Sequence, residues 1–303
     1  MSIGRSILWL AGAVGGLFLG GCSDRAPSAP TEAASTPGGP RLAVLSPALA
    51  DTIRDLGAEN AIVGRHGWDA FTAQTVPAVG SESGLDYESL LRVRPTCVVL
   101  QEGAKGVPPR LSELADANRW RVATVPLLRL EDVRTSIGAL ASLAGASAEA
   151  SDALSGRFDA AMAAVPGFRE RAGRVLVLIS TDPPAAAGPG SFHHEILSRL
   201  GATPIPNDGT AFQQLSIEGV MRLDPDSIIV LAPGGNDRPE SLGKLREVGL
   251  RAVRDRRVLV VTDARAHLPS TGLVRVAEVI RAGVMAWPPA NPVPSTPAPG
   301  SPE

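Results

Sequence analysis

"RLAVLSPALADTIRDLGAENAIVGR", residues 41–65, contains the unit from which the rest of the chain is built. RLAVLS (41–46) reads as an apolar strand, PALADTIRDLG (47–57) as a helix ending at Gly57, and AIVGR (61–65) as a second strand. Continuous apolar strands separated by amphipathic helices are the pattern of a parallel sheet with helices on its faces.

Outward from this unit the alternation continues. DYESLLRVR (86–94) is a short helix, TCVVLQ (96–101) a strand, RLSELADAN (110–118) a helix and RVATVP (121–126) a strand. A stretch rich in Ala, Leu, Glu and Asp runs from about Leu130 to Ala164 and suits a long helix. The alternation then restarts with RVLVLIS (174–180), FHHEILSRLG (192–201), SIEGVMRL (216–223), SIIVLA (227–232), KLREVGLRAV (244–253), RVLVVT (257–262) and GLVRVAEVIRAGVMAW (272–287). The expected fold is α/β: two Rossmann-like lobes, 41–128 and 169–287, joined by one long rigid helix over 129–168. In such sheets ligands bind outside the carboxyl ends of the strands, here in the cleft between the lobes.

The flanks are of another kind. MSIGRSILWLAGAVGGLFLGGC (1–22) has one basic residue, Arg5, then an apolar run from Ile7 to Leu19. This is the layout of a secretory signal and is short for a membrane span. Leu19-Gly20-Gly21-Cys22 resembles a bacterial lipobox, in which Cys22 is acylated and becomes the mature N-terminus. Residues 23–40 form a Pro, Ala, Ser and Thr tether, and 288–303 a Pro-rich tail; neither can bury a core. The other cysteine, Cys97, sits in an apolar strand as a small hydrophobe, so no Cys-based metal site is available. With a formal net charge of −2, nothing asks for a nucleic-acid partner.

Aromatic residues make up only 4% of the chain, so each one in a loop needs a reason. GRHGWDAF (64–71) places Trp68 and His66 two residues apart after the second strand. A Trp face offers a large apolar area at little entropic cost and suits a flat ligand. Phe212 and Phe192 are its counterparts in the second lobe. His66, His193, His194 and His267 all lie near predicted strand ends or helix starts; at least one imidazole is expected on ligand, His66 and His193 first. Arg65 and Arg265 could meet carboxylates or phosphates, and Gln101 is a polar rim contact. GPGSFH lacks the third Gly of a dinucleotide fingerprint, HHEIL has Ser198 where a zincin needs His, and no nucleophile elbow or Walker loop is present.

Five blocks in order resemble the substrate-binding proteins of ABC importers for iron complexes and vitamin B12, a class of periplasmic binding proteins. They are residues 41–65 above, VPAVGSESGLDYESLLRVRPTCVVL (76–100), GPGSFHHEILSRLGATPI (188–205), FQQLSIEGVMRLDPDSIIVL (212–231) and LRAVRDRRVLVVTD (250–263). The resemblance implies two lobes on a rigid helix, modest motion on binding, and no catalysis. It implies an extracytoplasmic, lipid-anchored monomer that passes a metal chelate or corrinoid to an ABC permease and its ATPase. It has no cofactor of its own, although the solute can carry Fe or Co. Glu88 and Glu218, one per lobe, match the family's permease-docking carboxylates; each also suits a helix first turn on macrodipole grounds. Heme-binding relatives generally use a Tyr on iron, and the one Tyr here, Tyr87, adjoins Glu88. Cobalamin, a ferric siderophore, heme and molybdate all remain open as ligands. A metal-dependent hydrolase built on the histidines and a non-transport sensor or scaffold of the same fold are the alternatives.

Overall fold

The structure is a computed structural model that describes residues 38–81, 84–235 and 239–290. The signal segment with Cys22, the tether up to residue 37 and the tail beyond residue 290 lie outside the described residues.

The first lobe is one sheet of order β4-β3-β2-β1-β5-β6. β1 (Leu42–Val44) runs parallel to β2 (Ile62–His66) and β5 (Cys97–Gln101). β3 (Ala78–Ser81) and β6 (Arg121–Val125) extend it in parallel, and β4 (Gly84–Leu85) turns back on β3. Between strands lie α1 (Pro47–Asp55), α2 (Tyr87–Val93) and α3 (Pro109–Asn118), the helices that the apolar spacing predicts. Pro at the first turn of α1 leaves no donor unpaired and presets φ.

The second sheet has the order β10-β8-β7-β11-β12, with β9 also on β7. Its parallel strands are β7 (Arg174–Thr181), β9 (Thr203–Ile205), β11 (Ser227–Leu231) and β12 (Val258–Val261). β8 (Pro184–Ala187) and β10 (Phe212–Gln214) add an antiparallel edge. PAAA is made of proline and alanine, which disfavour strands, and FQQ is mostly polar, so the sequence pattern does not reveal them. α7 (Phe192–Leu200), α8 (Ile217–Leu223) and α10 (Leu273–Met285) fall where the sequence puts them. KLREVGLRAV does not form the expected helix: 3₁₀ turns over Pro239–Arg246 and the short α9 (Arg251–Arg254) flank Gly249, whose φ is 70°.

The linking segment 129–168 is likewise not one helix. α4 (Leu130–Ala144) stops at Gly145, which adopts the left-handed conformation at φ 70°. Ser147 then caps α5 (Ala148–Ala161), its Oγ accepting from the Ala150 N–H at 3.2 Å, and α6 (Phe168–Ala172) leads into β7. The stop and the restart lie within three residues, Gly-Ala-Ser, so α5 folds back on α4. Arg134 binds Asp159 through both nitrogens at 2.7 and 2.9 Å. α5 and α6 pack on α10 and belong to the second lobe.

α4 alone bridges the lobes. It packs on α1 of the first and α7 of the second. Its exposed N-terminal donors are taken by Glu195 of α7, which accepts from the Leu130 N–H at 2.9 Å and from Arg129 Nε at 3.0 Å. One apolar core continues across the join: Leu49 and Ile53 of α1, Leu130, Ile137 and Leu140 of α4, Phe158, Phe168 and Ile280 are all buried in it. Separate clusters cover the outer faces of the two sheets.

A polar cluster seals the same seam. Asp51 of α1 has no exposed surface. It accepts from Ser270 Oγ at 2.7 Å, lies 3.2 Å from Arg265 Nε, and is paired with Arg54. Burial pushes its carboxyl pKa up, while the Ser270 hydroxyl and both guanidinium groups pull it down and Asp55 adds to the rise. Thr271 adds a hydrogen bond from its hydroxyl to Asp55 at 2.7 Å and one from its N–H to Thr52 Oγ1 at 3.3 Å.

Gly272 fits this cluster only because it lacks a Cβ, which would stand 2.4 Å from Arg265 Cδ and 2.8 Å from Asp51 Oδ2. Gly272→Ala is therefore expected to destabilise the protein by about 1–3 kcal/mol. Gly138, exposed in mid-α4 with nothing within 4 Å of an added Cβ, is the counterpart. Gly138→Ala should stabilise by roughly 0.5–1 kcal/mol. Urea unfolding of the two variants reads both signs.

Candidate functional site

The loop after β2, residues 66–76, is built on two buried charged side chains. Arg65 is only 8% exposed. Its Nε donates to the Val76 carbonyl at 3.0 Å, Nη1 to the carbonyls of His66 at 3.1 Å and Asp69 at 3.3 Å, and Nη2 to Gln74 Oε1 at 2.6 Å. Asp69, also buried, accepts from the N–H groups of Phe71 at 2.9 Å and Thr72 at 3.1 Å, and from the Thr72 hydroxyl. Five-donor geometry makes arginine the side chain that can gather so many carbonyls at once. Arg65 is thus not the ligand-facing cation that the sequence suggests; its hydrogen-bonding capacity is spent on the loop.

What this scaffold presents is Trp68, 64% exposed. Its backbone N–H donates to His66 Nδ1 at 3.1 Å, and the two rings meet edge to face at 5.7 Å. A ring nitrogen that accepts from an N–H is unprotonated, so the His66 proton sits on Nε2. His66 therefore offers a donor to its surroundings, and neither nitrogen keeps a free lone pair for a metal. Partial burial lowers its pKa, against the pull of Asp69, which favours this neutral form.

The other candidates join this loop through a chain of contacts. Phe71 lies between Arg54 and Arg265, whose guanidinium carbons stand 5.1 and 5.4 Å from the ring centre. The first lobe's loop thus touches the second lobe at Arg265, which is occupied with Asp51 and Phe71 and is no free anion ligand. One residue on, the Ala266 carbonyl bonds His193 Nε2 at 2.7 Å. His193 stacks obliquely on Phe192 at 4.2 Å, and Phe192 meets Phe212 edge to face at 6.3 Å.

Two more expected contacts are core residues. His193 is 3% exposed and Phe192 6%, because α7 turns both inward after its Ser191 cap. Burial holds the His193 pKa down to about 4. Phe212, at 46%, remains on the surface with Phe192 behind it. Gln101 is exposed at the carboxyl end of β5, where Oε1 accepts from Ser46 Oγ at 3.3 Å. His267 is exposed, with its ring against the Leu231 carbonyl and its pKa lowered by partial desolvation. His194 is half-buried on α7. Among the described residues no three His, Cys, Asp or Glu side chains gather so as to hold a metal ion.

Sequence reasoning missed Leu128, 66% exposed just beyond β6. The doublet Leu127-Leu128 gave the only hint, since just one of the pair can face the core. It also missed Phe71, whose role depends on an arginine 194 positions away and is invisible to local pattern.

Comparison with known proteins accords with this layout. The sequence model of a family described as "Periplasmic binding protein" matches residues 42–264. The chain is 25% identical over 199 residues to the vitamin B12-binding protein of Salmonella typhimurium strain LT2, covering 65% of this chain and 74% of that one. The periplasmic heme-binding protein RhuT from Roseiflexus sp. RS-1, in apo form, superposes with a TM-score of 0.62 at 21% identity, covering 82% of this chain and 98% of RhuT. An ABC-type Fe3+-hydroxamate transport protein from Saccharomonospora viridis DSM 43017 superposes at 0.58 and 22% identity, covering 82% and 94%.

The depressed His193 pKa carries a pH signature. Between pH 6.5 and about 4 the unfolded chain binds a proton that the folded one refuses, so stability falls as pH falls through that window. The loss is on the order of 3 kcal/mol. His193→Gln keeps a donor for the Ala266 carbonyl but cannot titrate. Its urea midpoint should decline less than the wild-type midpoint between pH 7 and pH 4.5; parallel declines would rule the histidine out as the cause.

Proposed function

This chain belongs to the periplasmic binding protein family, extracytoplasmic solute-binding components of ABC importers, and from that premise we propose that it captures a metal chelate or corrinoid between its lobes and delivers it to an ABC permease and ATPase. Of the candidate ligands a corrinoid accords best with the residues. The observation that carries the reading is Trp68, a large aromatic face left 64% exposed on a loop held by the hydrogen bonds of Arg65 and Asp69. An exposed indole on a held backbone has only two side-chain torsions to order, so a flat ligand settles on it at little entropic cost. Leu128 and Phe212 supply further apolar surface, and Gln101, His267 and the Nε2–H of His66 supply polar contacts around it.

Tyr87 is half-buried, with the Arg110 guanidinium 4.4 Å from its ring centre, which favours a packing role over an iron ligand and so weighs against heme held by tyrosine. Fe or Co in the solute would arrive already chelated, consistent with His66 donating a proton rather than a lone pair. Acylation at Cys22 would tether a monomer to the cell envelope, and among the described residues no helix is long and apolar enough to cross a membrane. Glu88 and Glu218 would guide docking to the permease.

The test is a thermal-shift panel of cobalamin, heme, ferric siderophores and molybdate on the chain lacking residues 1–22. Cobalamin should raise Tm most. Trp68→Ala should weaken that binding by about 2 kcal/mol, roughly 30-fold. A shift indifferent to Trp68 would remove the cleft assignment.

A further inference from the structure

Five large apolar side chains are exposed among the described residues: Trp68, Leu128, Phe212, Leu91 and Met221. The first three are the apolar side chains assigned above to the proposed ligand surface. The other two, 42% and 47% exposed, have no role in it. Their positions match each other to the residue.

Leu91 lies in YESLLRVRPT (87–96) and Met221 in IEGVMRLDPD (217–226). Aligned without a gap, the two segments share Glu at the second place, Arg at the sixth and Pro at the ninth, and Leu91 and Met221 both take the fifth. The structure repeats as well. α2 and α8 each span seven residues, and each is capped by a side chain, Asp86 accepting from Ser89 N–H and Ser216 from Gly219 N–H. Each ends in a left-handed residue, Arg94 at φ 46° and Asp224 at φ 40°. An arginine beside the lobe's first strand closes each C-terminus: Arg41 donates to the Val93 carbonyl at 2.7 Å, Arg174 to the Leu223 carbonyl at 2.8 Å. Each helix precedes the strand next to that first strand, β5 beside β1 and β11 beside β7.

Each lobe therefore displays one patch: a carboxylate, an apolar side chain one turn later at i+3, and an arginine at i+4, on one helix face. A partner that meets both patches must itself offer two equivalent sockets, each apolar at its centre with a basic group opposite the Glu. Building on the import reading above, we propose that Leu91 and Met221 are paired apolar anchors, one per lobe, that seat in equivalent sockets of a membrane-spanning partner made of two like halves. The flanking Glu88 and Glu218 orient the encounter, and the apolar side chains hold it, as desolvated anchors at an interface centre do.

The experiment places a photo-cross-linking amino acid at Arg92, and separately at Arg222, in the full chain in its own cells, and identifies the adduct by mass spectrometry. Both positions should capture the same membrane-spanning permease. Leu91→Ser and Met221→Ser should each cut that yield by about tenfold, the equivalent of ~1.4 kcal/mol, and by similar amounts. The unfolding midpoint and the ligand thermal shift should not change. Cross-linking that survives the double substitution overturns the anchors and leaves the import reading standing. Absence of any membrane permease from either position overturns both, and capture of two different proteins overturns the paired sockets.

Discussion

Asp51, a carboxylate without exposed surface, is the point at which the two lobes are tied. Isolated, such a charge would cost several kcal/mol to bury. Here Arg54 from its own helix and Arg265 and Ser270 from the other lobe surround it. Removing one partner leaves a buried charge uncompensated, so separation of the lobes is resisted by this cluster as well as by the apolar core that α1, α4 and α10 share. A wide hinge motion would have to open both. The fold is thus suited to a cleft that exists before its ligand does.

Preorganisation extends to the loop beyond β2. Arg265 reaches from the Asp51 cluster to Phe71, and Arg65 and Asp69 fix the rest of the loop from beneath. The position of Trp68 is in this way tied to the spacing of the lobes. Trp68 is exposed on a loop whose backbone is held by the Arg65 and Asp69 hydrogen bonds.

The architecture was legible because parallel strands buried on both faces are continuous apolar runs, and those survive in a single sequence. The two-lobed α/β layout and most of its helices follow from RLAVLS and its repeats. Breaks were harder. Gly145 and Ser147 carry the end of α4 and the start of α5, but the surrounding Ala-rich helix propensity hides them. β8 and β10 form through pairing with β7 and each other, not through their own composition. Of the aromatics picked as ligand contacts, Trp68 and Phe212 are exposed and Phe192 is buried; Arg65 and His193 are buried as well. Residue type announces what a side chain can do; the partners that use it up, such as four carbonyl-bearing neighbours around Arg65, come from elsewhere in the fold.

The surface divides its exposed apolar side chains between two tasks, and topology brings those tasks close. β3 pairs only with the last residues of β2, and α2 starts just after β3 and β4. α8 starts just after β10, which runs parallel to β7. In both lobes the helix then returns to the opposite edge to begin β5 or β11, so Glu88 and Glu218 each lie in the first turn of a helix that starts toward the carboxyl edge of its own sheet. The two lobes reach this arrangement by different strands, α2 following β4, which turns back on β3, and α8 following β10, which pairs with β8. The Asp51 cluster joins α1 of the first lobe to Arg265 and Ser270 of the second, so α2 and α8, one in each lobe, are held on one frame.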